Sequence, residues 1–476
     1  MITSKVFQRS FSKYGFLCSE SKNPFKRTWD TIAKELPAMF GLNNKTSNYP
    51  EHADIVVIGG GYIGSSVAYW LKTKAGHGLS VVVLEKDPTK WVKTRMGFVQ
   101  YAEARKNISC GSLTQHFSLP ENIYLSQHSA EFLRNVKDNL GPDVDLKYVP
   151  KGHLLLACEE HAEKLEQNVY VQREYGIRNE LLSAKEIKNK FPWINTDDVK
   201  LGCLGYESEG TFDSLALLGG LVTKSLDMGT TYIHAEVTGF ELEKQRDVLM
   251  EGITPGSFER INKVVFRTPE NEEHSIKFAA CILAAGHESS QVAQLAKIGN
   301  GDGLLAIPLP IEKRESDVYS IENMTKTTGL NTPLVMDTSG VWIRKDGLGS
   351  NLLCGAVPLL SQSATGLFGD DYMDRIIKPS LFNRIPQCNI AQVTSVATEA
   401  YDYCHYDDTG ILGPHSYHNN LYIAAGFGKQ GCQHASGIGR AIAELIVDGQ
   451  FVSTDFTRLG FDRFLTDSPL IEFNIY

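Results

Sequence analysis

The 476 residues contain no run of the roughly 18 apolar residues needed to cross a bilayer, so any membrane attachment is expected to be peripheral or through a partner protein. Cysteine occurs nine times but never as a C-x-x-C pair. An odd, scattered set gives neither a zinc-type spacing nor a disulfide framework, so the thiols read as reduced and no metal site is expected. Basic charge is in deficit as well. A formal charge of -9 argues against nucleic acid as the main partner. No internal repeat or low-complexity block is present. The last absence is local: Met1 to Ser19 holds no acidic residue, while Lys5, Arg9 and Lys13 alternate with Ser4, Ser10 and Ser12. That composition, without the apolar core of a secretory signal, is that of a mitochondrial transit peptide. A short helix at Trp29 to Phe40 and a polar linker are expected to follow as far as residue 52.

What is present begins at Asp54. Ile55 to Ile58 form an apolar strand, and Gly59, Gly61 and Gly64 then give the spacing G-x-G-x-x-G. The first glycine permits a tight turn, the second lets backbone approach a pyrophosphate, and the third lets the next helix pack on the strand with its amides toward the phosphates. Ser65 to Thr73 continue as a helix, and Leu79 to Leu84 form a second buried strand ending at Glu85, a carboxylate suited to ribose hydroxyls. Strand, glycine loop, helix, strand and terminal carboxylate together specify a dinucleotide site.

Further along, Trp91 to Lys106 reads as a polar insertion ahead of the turn Ser109-Cys110-Gly111-Ser112. Helices are expected at about Pro120 to Leu140, Glu160 to Tyr175, Ser183 to Phe191 and Phe212 to Met228, with Ser183 and Glu186 spaced as a capping box. Strands are expected at Gly152 to Cys158, within Thr231 to Glu243, and at Phe278 to Ala284, followed by a helix at Ser289 to Ile298. Val318 to Ile321, Leu334 to Met336, Val341 to Arg344 and Leu352 to Cys354 suggest a mixed or antiparallel sheet in a second domain. Leu421 to Ala425 is again a buried strand, leading through glycines to a helix ending at Val447. The chain thus returns twice to its nucleotide-binding part. A nicotinamide dehydrogenase usually completes that part in one block, so the layout favours FAD enzymes of glutathione-reductase topology over an NAD(P) enzyme.

The ordered set Gly59-x-Gly61-x-x-Gly64, Glu85, Ala284-Ala285-Gly286 and Gly413-Pro414 through Gly426-Phe427-Gly428 resembles the D-amino-acid oxidase superfamily, nearest its sarcosine and dimethylglycine dehydrogenase branch. The resemblance implies an α/β fold with a discontinuous FAD-binding Rossmann domain (about 53–118, 200–300 and 405–450). A second domain on a mixed sheet (about 140–200 and 305–400) and a tail from 465 would complete it. It implies FAD contacts from Gly59, Gly61, Gly64, Glu85, Lys86, Gly111, Val237, Ala285, Gly286, Gly426, Gly428 and Gly431. Blocks such as Phe117 to Ile123, Lys190 to Thr196, Asp337 to Gly340, Gly347 to Asn351 and Gly437 to Ala441 resemble a mitochondrial subgroup that serves assembly of respiratory complex I, its subunits or intermediates being the implied partners.

Departures from the pattern bear on turnover. Sarcosine oxidases read G-F-S-G-H-G where Gly426 to Gly431 read G-F-G-K-Q-G, so Gly428 and Gln430 replace serine and histidine. No arginine precedes Asp407 in the stretch Tyr401 to Cys404, although Arg344 is a candidate substitute for holding a substrate carboxylate. Ser350 to Gly355 lacks the oxygen-activating lysine. Lys429, read as an exposed turn residue, and Gln430, Tyr401 and Arg344 are the weak catalytic candidates. His287 reads as a helix cap. Cys404 is offset from the position of covalent flavin attachment, which Tyr401 fits better, so noncovalent FAD is expected. Two functions remain: an assembly factor that keeps its flavin, or a dehydrogenase of a small secondary or tertiary amine.

Overall fold

A computed structural model describes residues 49–87, 111–248, 253, 255–323, 329, 331–346, 349, 351–357, 365–367, 369–388 and 390–475. The transit-type segment, the Trp29 to Phe40 helix, the Trp91 to Lys106 insertion, and Ser109 and Cys110 of the flavin-side turn lie outside the described residues. Strand His52–Ile58 is exposed on alternate residues at its start and buried on both faces from Ile55 onward. That is the pattern of a central parallel strand covered by helices on both sides. It pairs in parallel with Val81–Glu85 on one side and Glu273–Leu283 on the other. The full order is Ile411–Pro414, Leu421–Ala425, Glu273–Leu283, His52–Ile58, Val81–Glu85, Thr231–His234, with only Ile411–Pro414 antiparallel to its neighbour. The charged region after residue 235 extends this sheet as an antiparallel meander, Glu236–Lys244 against Glu259–Arg267 against the first half of Glu273–Leu283.

The helix expected at Ser65 to Thr73 runs from Tyr62 to Ala75. Gly64, Val67, Ala68 and Leu71 give it a buried face at helical spacing, and Gly76 in a positive-φ conformation ends it after Lys72 and Lys74. Helix Gly431–Val447 packs along it. Gly439 permits the approach: a Cβ there would lie 2.3 Å from Ser66 Oγ and 2.6 Å from the Ser66 carbonyl carbon. The expected single helix over 120–140 is two, Pro120–Arg134 and Val136–Leu140, broken at Asn135. The capping box at Ser183 is present, with Ser183 N–H donating to Glu186 Oε2 at 2.8 Å.

The second sheet has eight strands in the order Ile390–Cys404, Ile311–Asn323, Leu352–Ala356, Val341–Lys345, Leu334–Met336, His153–Ala157, Leu201–Gly205, Asn179–Ser183. All its pairs are antiparallel except Leu334–Met336 with His153–Ala157. The expected mixed second sheet is therefore correct in kind. Its longest strand, Ile390–Cys404, and the short pair Asn179–Ser183 and Leu201–Gly205 are not in the sequence reading. Among the described residues no helix is long and apolar enough to cross a membrane.

Candidate functional site

The carboxyl ends of the parallel strands converge on the glycine loop. Gly59 N–H donates to Leu84 O at 2.8 Å and Ala284 N–H to Ile58 O at 2.8 Å, which fixes the loop between its neighbours. Gly59 has φ +100°, and a Cβ on it would lie 2.2 Å from Ala284 O. A Cβ on Gly64 would lie 1.9 Å from Gly59 O. Gly61 is the opposite case, since a Cβ there would meet nothing within 4 Å. The loop is thus closed toward the protein and open at its middle glycine. Helix Tyr62–Ala75 begins there with Gly61 as its N-cap, no capping side chain and no acidic residue in its first turn. Helix Gly431–Val447 likewise starts without a side-chain cap or an acidic first turn. A Cβ on its first residue, Gly431, would stand 3.8 Å from Ile63 Cδ1. Two positive helix ends therefore lie side by side.

Glu85 closes the second strand, half-buried. Its Oε2 accepts Gly60 N–H at 2.6 Å and its Oε1 accepts Asp87 N–H at 2.7 Å. A carboxylate offers about four acceptor positions, so capacity for ribose hydroxyls remains. Lys86 is exposed and paired with Glu288, which ties this strand end to the turn after Ala285 and Gly286. His287 lies half-buried in that turn, and the helix cap is Glu288 rather than His287 as the sequence suggested. Val237 follows Ala235, whose N–H donates to Glu85 O at 2.9 Å. Gly111 is packed against backbone, its Cβ position 2.2 Å from Phe212 O. That close approach alone requires glycine there.

The loop after Leu421–Ala425 carries Gly426 and Gly428, both at positive φ. Asp402, not singled out from the sequence as a site residue, holds this loop: its Oδ2 accepts Gly426 N–H, with Phe427 and Gly428 N–H also contributing. Burial raises the Asp402 pKa against these donors, which lower it. A signal existed in the sequence, a lone carboxylate between Tyr401 and Tyr403. Its partner lies 24 residues away, beyond local pattern.

Lys429 is half-buried, not an exposed turn residue as the sequence reading had it. Its ammonium donates to Ser316 Oγ at 2.8 Å and to Ala356 O at 2.7 Å, and stands 5.4 Å from the centre of the Tyr401 ring. The structure thus brings Lys429 and Tyr401 together beside the Gly426–Gly431 loop. Gln430 occupies the same turn, half-buried. Arg344 is elsewhere. It pairs with Leu353, which pairs with Ser320, four residues along the strand from Ser316. At ~3.3 Å per residue and ~4.8 Å per strand its backbone is roughly 16 Å from that of Ser316. Arg344 Nε is buried with no hydrogen-bond partner among the described residues. Cys404 is fully buried, donates to Asp407 Oδ1 at 3.4 Å, and burial together with Asp407 pushes its pKa up to about 12.

The closed outer glycines, the open middle glycine, the adjacent helix ends and the carboxylate at the second strand suit an adenine dinucleotide, and FAD fits this residue set. The FAD dependent oxidoreductase family, DAO, matches residues 54–445. The chain is 43% identical over 431 residues to a Drosophila melanogaster homolog of FAD-dependent oxidoreductase domain-containing protein 1, covering 90% of this chain and 81% of that one. It is 40% identical to the Xenopus laevis protein of that name, covering 90% and 85%. Among solved structures, L-proline dehydrogenase from P. horikoshii superposes with a TM-score of 0.67 at 21% identity, over 89% of this chain and all of that one. The chain belongs to the DAO family of FAD-dependent oxidoreductases.

Proposed function

We propose that the chain binds FAD noncovalently and serves, in the mitochondrial matrix or on the matrix face of the inner membrane, the assembly or stability of respiratory complex I. The observation that carries this reading is a contrast within the site. The groups that would receive the dinucleotide are in place around Gly61. The cations that turnover would draw on are not poised for it: Lys429, in the turn that opens helix Gly431–Val447, is committed to Ser316 and Ala356, and the backbone of Arg344 lies roughly 16 Å along the sheet from that of Ser316. The blocks shared with the complex I assembly subgroup support the partner, and the acid-free Met1 to Ser19 supports the compartment. Noncovalent attachment is supported by Cys404, whose buried, protonated thiol is a poor nucleophile. Bound FAD would supply a two-electron acceptor, and the chain's part is to hold it through backbone amides, helix ends and Glu85. The test is to purify the protein with its flavin and mix it anaerobically with sarcosine or dimethylglycine. Unchanged flavin absorbance, together with co-purifying complex I subunits, is the expected result. Bleaching without any complex I partner would overturn it.

Arg344 favours a second reading, oxidation of a small amine that carries a carboxylate. A buried guanidinium nitrogen without a partner among the described residues is a site such a carboxylate would satisfy. The P. horikoshii enzyme is named for proline, itself a secondary amine with a carboxylate. On this reading bleaching occurs and is lost in Arg344→Leu.

A further inference from the structure

We propose that His116, His153 and Glu209 form a buried binding site for one divalent transition-metal cation, zinc by preference, independent of the flavin. His116 follows the short strand Ser112–Leu113, His153 opens strand His153–Ala157, and Glu209 precedes strand Gly210–Thr211. A ring nitrogen of each histidine and a carboxylate oxygen all lie within 4.8 Å of one another. His116 Nε2 and Glu209 Oε2 are 3.4 Å apart, matching the roughly 3.3 Å that separates two ligands of a tetrahedral zinc ion with bonds of ~2.0–2.1 Å. The other edges are no longer than 4.8 Å, and His116 Nε2 also lies 3.2 Å from His153 O.

The surroundings are those of a site with a component still to be added. The three side chains are 3%, 6% and 0% exposed. Among the described residues, His116 Nδ1, His153 Nδ1 and Glu209 Oε1 are all buried without a hydrogen-bond partner. Orphaned polar atoms this deep are costly and rare. Room for the carboxylate is made by a missing side chain: a Cβ on Gly205 would lie 1.9 Å from Glu209 Oε1, and Gly205 is in register with His153. Glu209 is oriented further by Thr114 Oγ1, which donates to Oε2 at 3.3 Å, and by the Gln115 N–H. These are the supporting contacts that metal ligands normally carry.

A fully buried carboxylate is costly as an anion unless a cation stands beside it. Two imidazoles and one carboxylate select zinc over magnesium or calcium, and the buried Cys203 beside His116 adds a soft neighbour. The bound ion would be structural. Thr114, two residues from His116, exchanges hydrogen bonds with Gln433 on helix Gly431–Val447, Gln433 Nε2 donating to Thr114 O at 2.7 Å. The ion would therefore clamp the segment gripping that helix to the second sheet.

The flavin-loaded protein is dialysed against zinc, washed free of loose metal, and denatured in the presence of a chromogenic chelator. About one equivalent released from the native protein, and at least about tenfold less retained by His116→Gln and Glu209→Gln proteins that keep their flavin, is the expected result. Should those variants fail to fold, zinc-edge X-ray absorption of the native protein must show imidazole nitrogens and an oxygen in the first shell. No released zinc, equal release from the variants, or a shell of thiolates alone overturns the proposal.

Discussion

Gly61 and Gly64 stand three residues apart in one loop, yet a methyl group added to each meets opposite surroundings. At Gly61 it projects into open space, and the backbone there has φ -73°, which alanine adopts without strain. Gly61→Ala should leave the stability of the flavin-free protein within about 0.5 kcal/mol of the parent. It should nevertheless abolish flavin retention, because the methyl occupies the space the diphosphate needs. At Gly64 the methyl would stand 1.9 Å from a backbone oxygen, so Gly64→Ala should destabilise folding itself by about 1–3 kcal/mol. Urea unfolding of the stripped proteins and flavin fluorescence of the purified ones separate the two effects. A yellow Gly61→Ala protein would show that the open side of the loop is not the phosphate side. The glycine spacing was legible because its demands are local. The anchorage of Lys429 was not, because Ser316, 113 residues away, decides whether that lysine is free.

Elements were legible in proportion to their apolar periodicity. Strands Leu334–Met336 and Leu421–Ala425 were read with the bounds observed, since both are apolar runs with a clear stop, Asp337 for the first and Gly426 for the second. Ile390–Cys404 was missed because it alternates small and polar residues along an edge, with several of its side chains exposed. Leu201–Gly205 was missed because two of its five residues are glycine, one of them required by Glu209. The turn between Ile411–Pro414 and Leu421–Ala425 has a property that sequence gives no hint of. His415 Nδ1 accepts the N–H groups of Tyr417 and His418, and His418 Nε2 donates to Ala296 O at 2.9 Å. Burial lowers both pKa values from 6.5, to about 3 for His415 and about 4 for His418. Between pH 6.5 and 4 the unfolded chain therefore binds protons that the folded chain refuses, and stability falls as pH falls. The contribution is fully present above 6.5. For His418 the loss is on the order of 3 kcal/mol over that window. His418→Gln keeps a donor for Ala296 and cannot titrate, so its melting temperature should decline less steeply on acidification. All other titrating groups are common to both proteins. Superimposable acid limbs would refute the assignment.

At the scale of the whole molecule, the residues from 465 onward were read as a tail, and the structure folds them back onto two separate parts of the chain. Helix Pro120–Arg134 has no capping side chain of its own. Glu472 supplies one from some 350 residues away, accepting from Ser118 N–H and Oγ, from Leu119 N–H at 3.3 Å and from Asn122 Nδ2 at 2.8 Å. The next residues reach helix Glu159–Glu174, with Asn168 Nδ2 donating to Phe473 O at 2.8 Å and Lys164 Nζ to Asn474 O at 2.7 Å. Ile475 is buried beside Leu165 and Val169. The last residues thus hold a helix from the nucleotide side and a helix over the second sheet in one grip, which no reading of local pattern reveals. Replacing Glu472 by alanine leaves several donors at the helix start without their acceptor, at a cost of about 1–3 kcal/mol. Glu472→Gln keeps one acceptor oxygen and should lose less. The damage should be local before it is global: amide exchange at Ile123, whose N–H closes the first turn on Leu119 O, should accelerate in Glu472→Ala while exchange in strand His52–Ile58 does not. Parental stability and parental exchange at Ile123 would mean that the returning segment lies on the fold without supporting it.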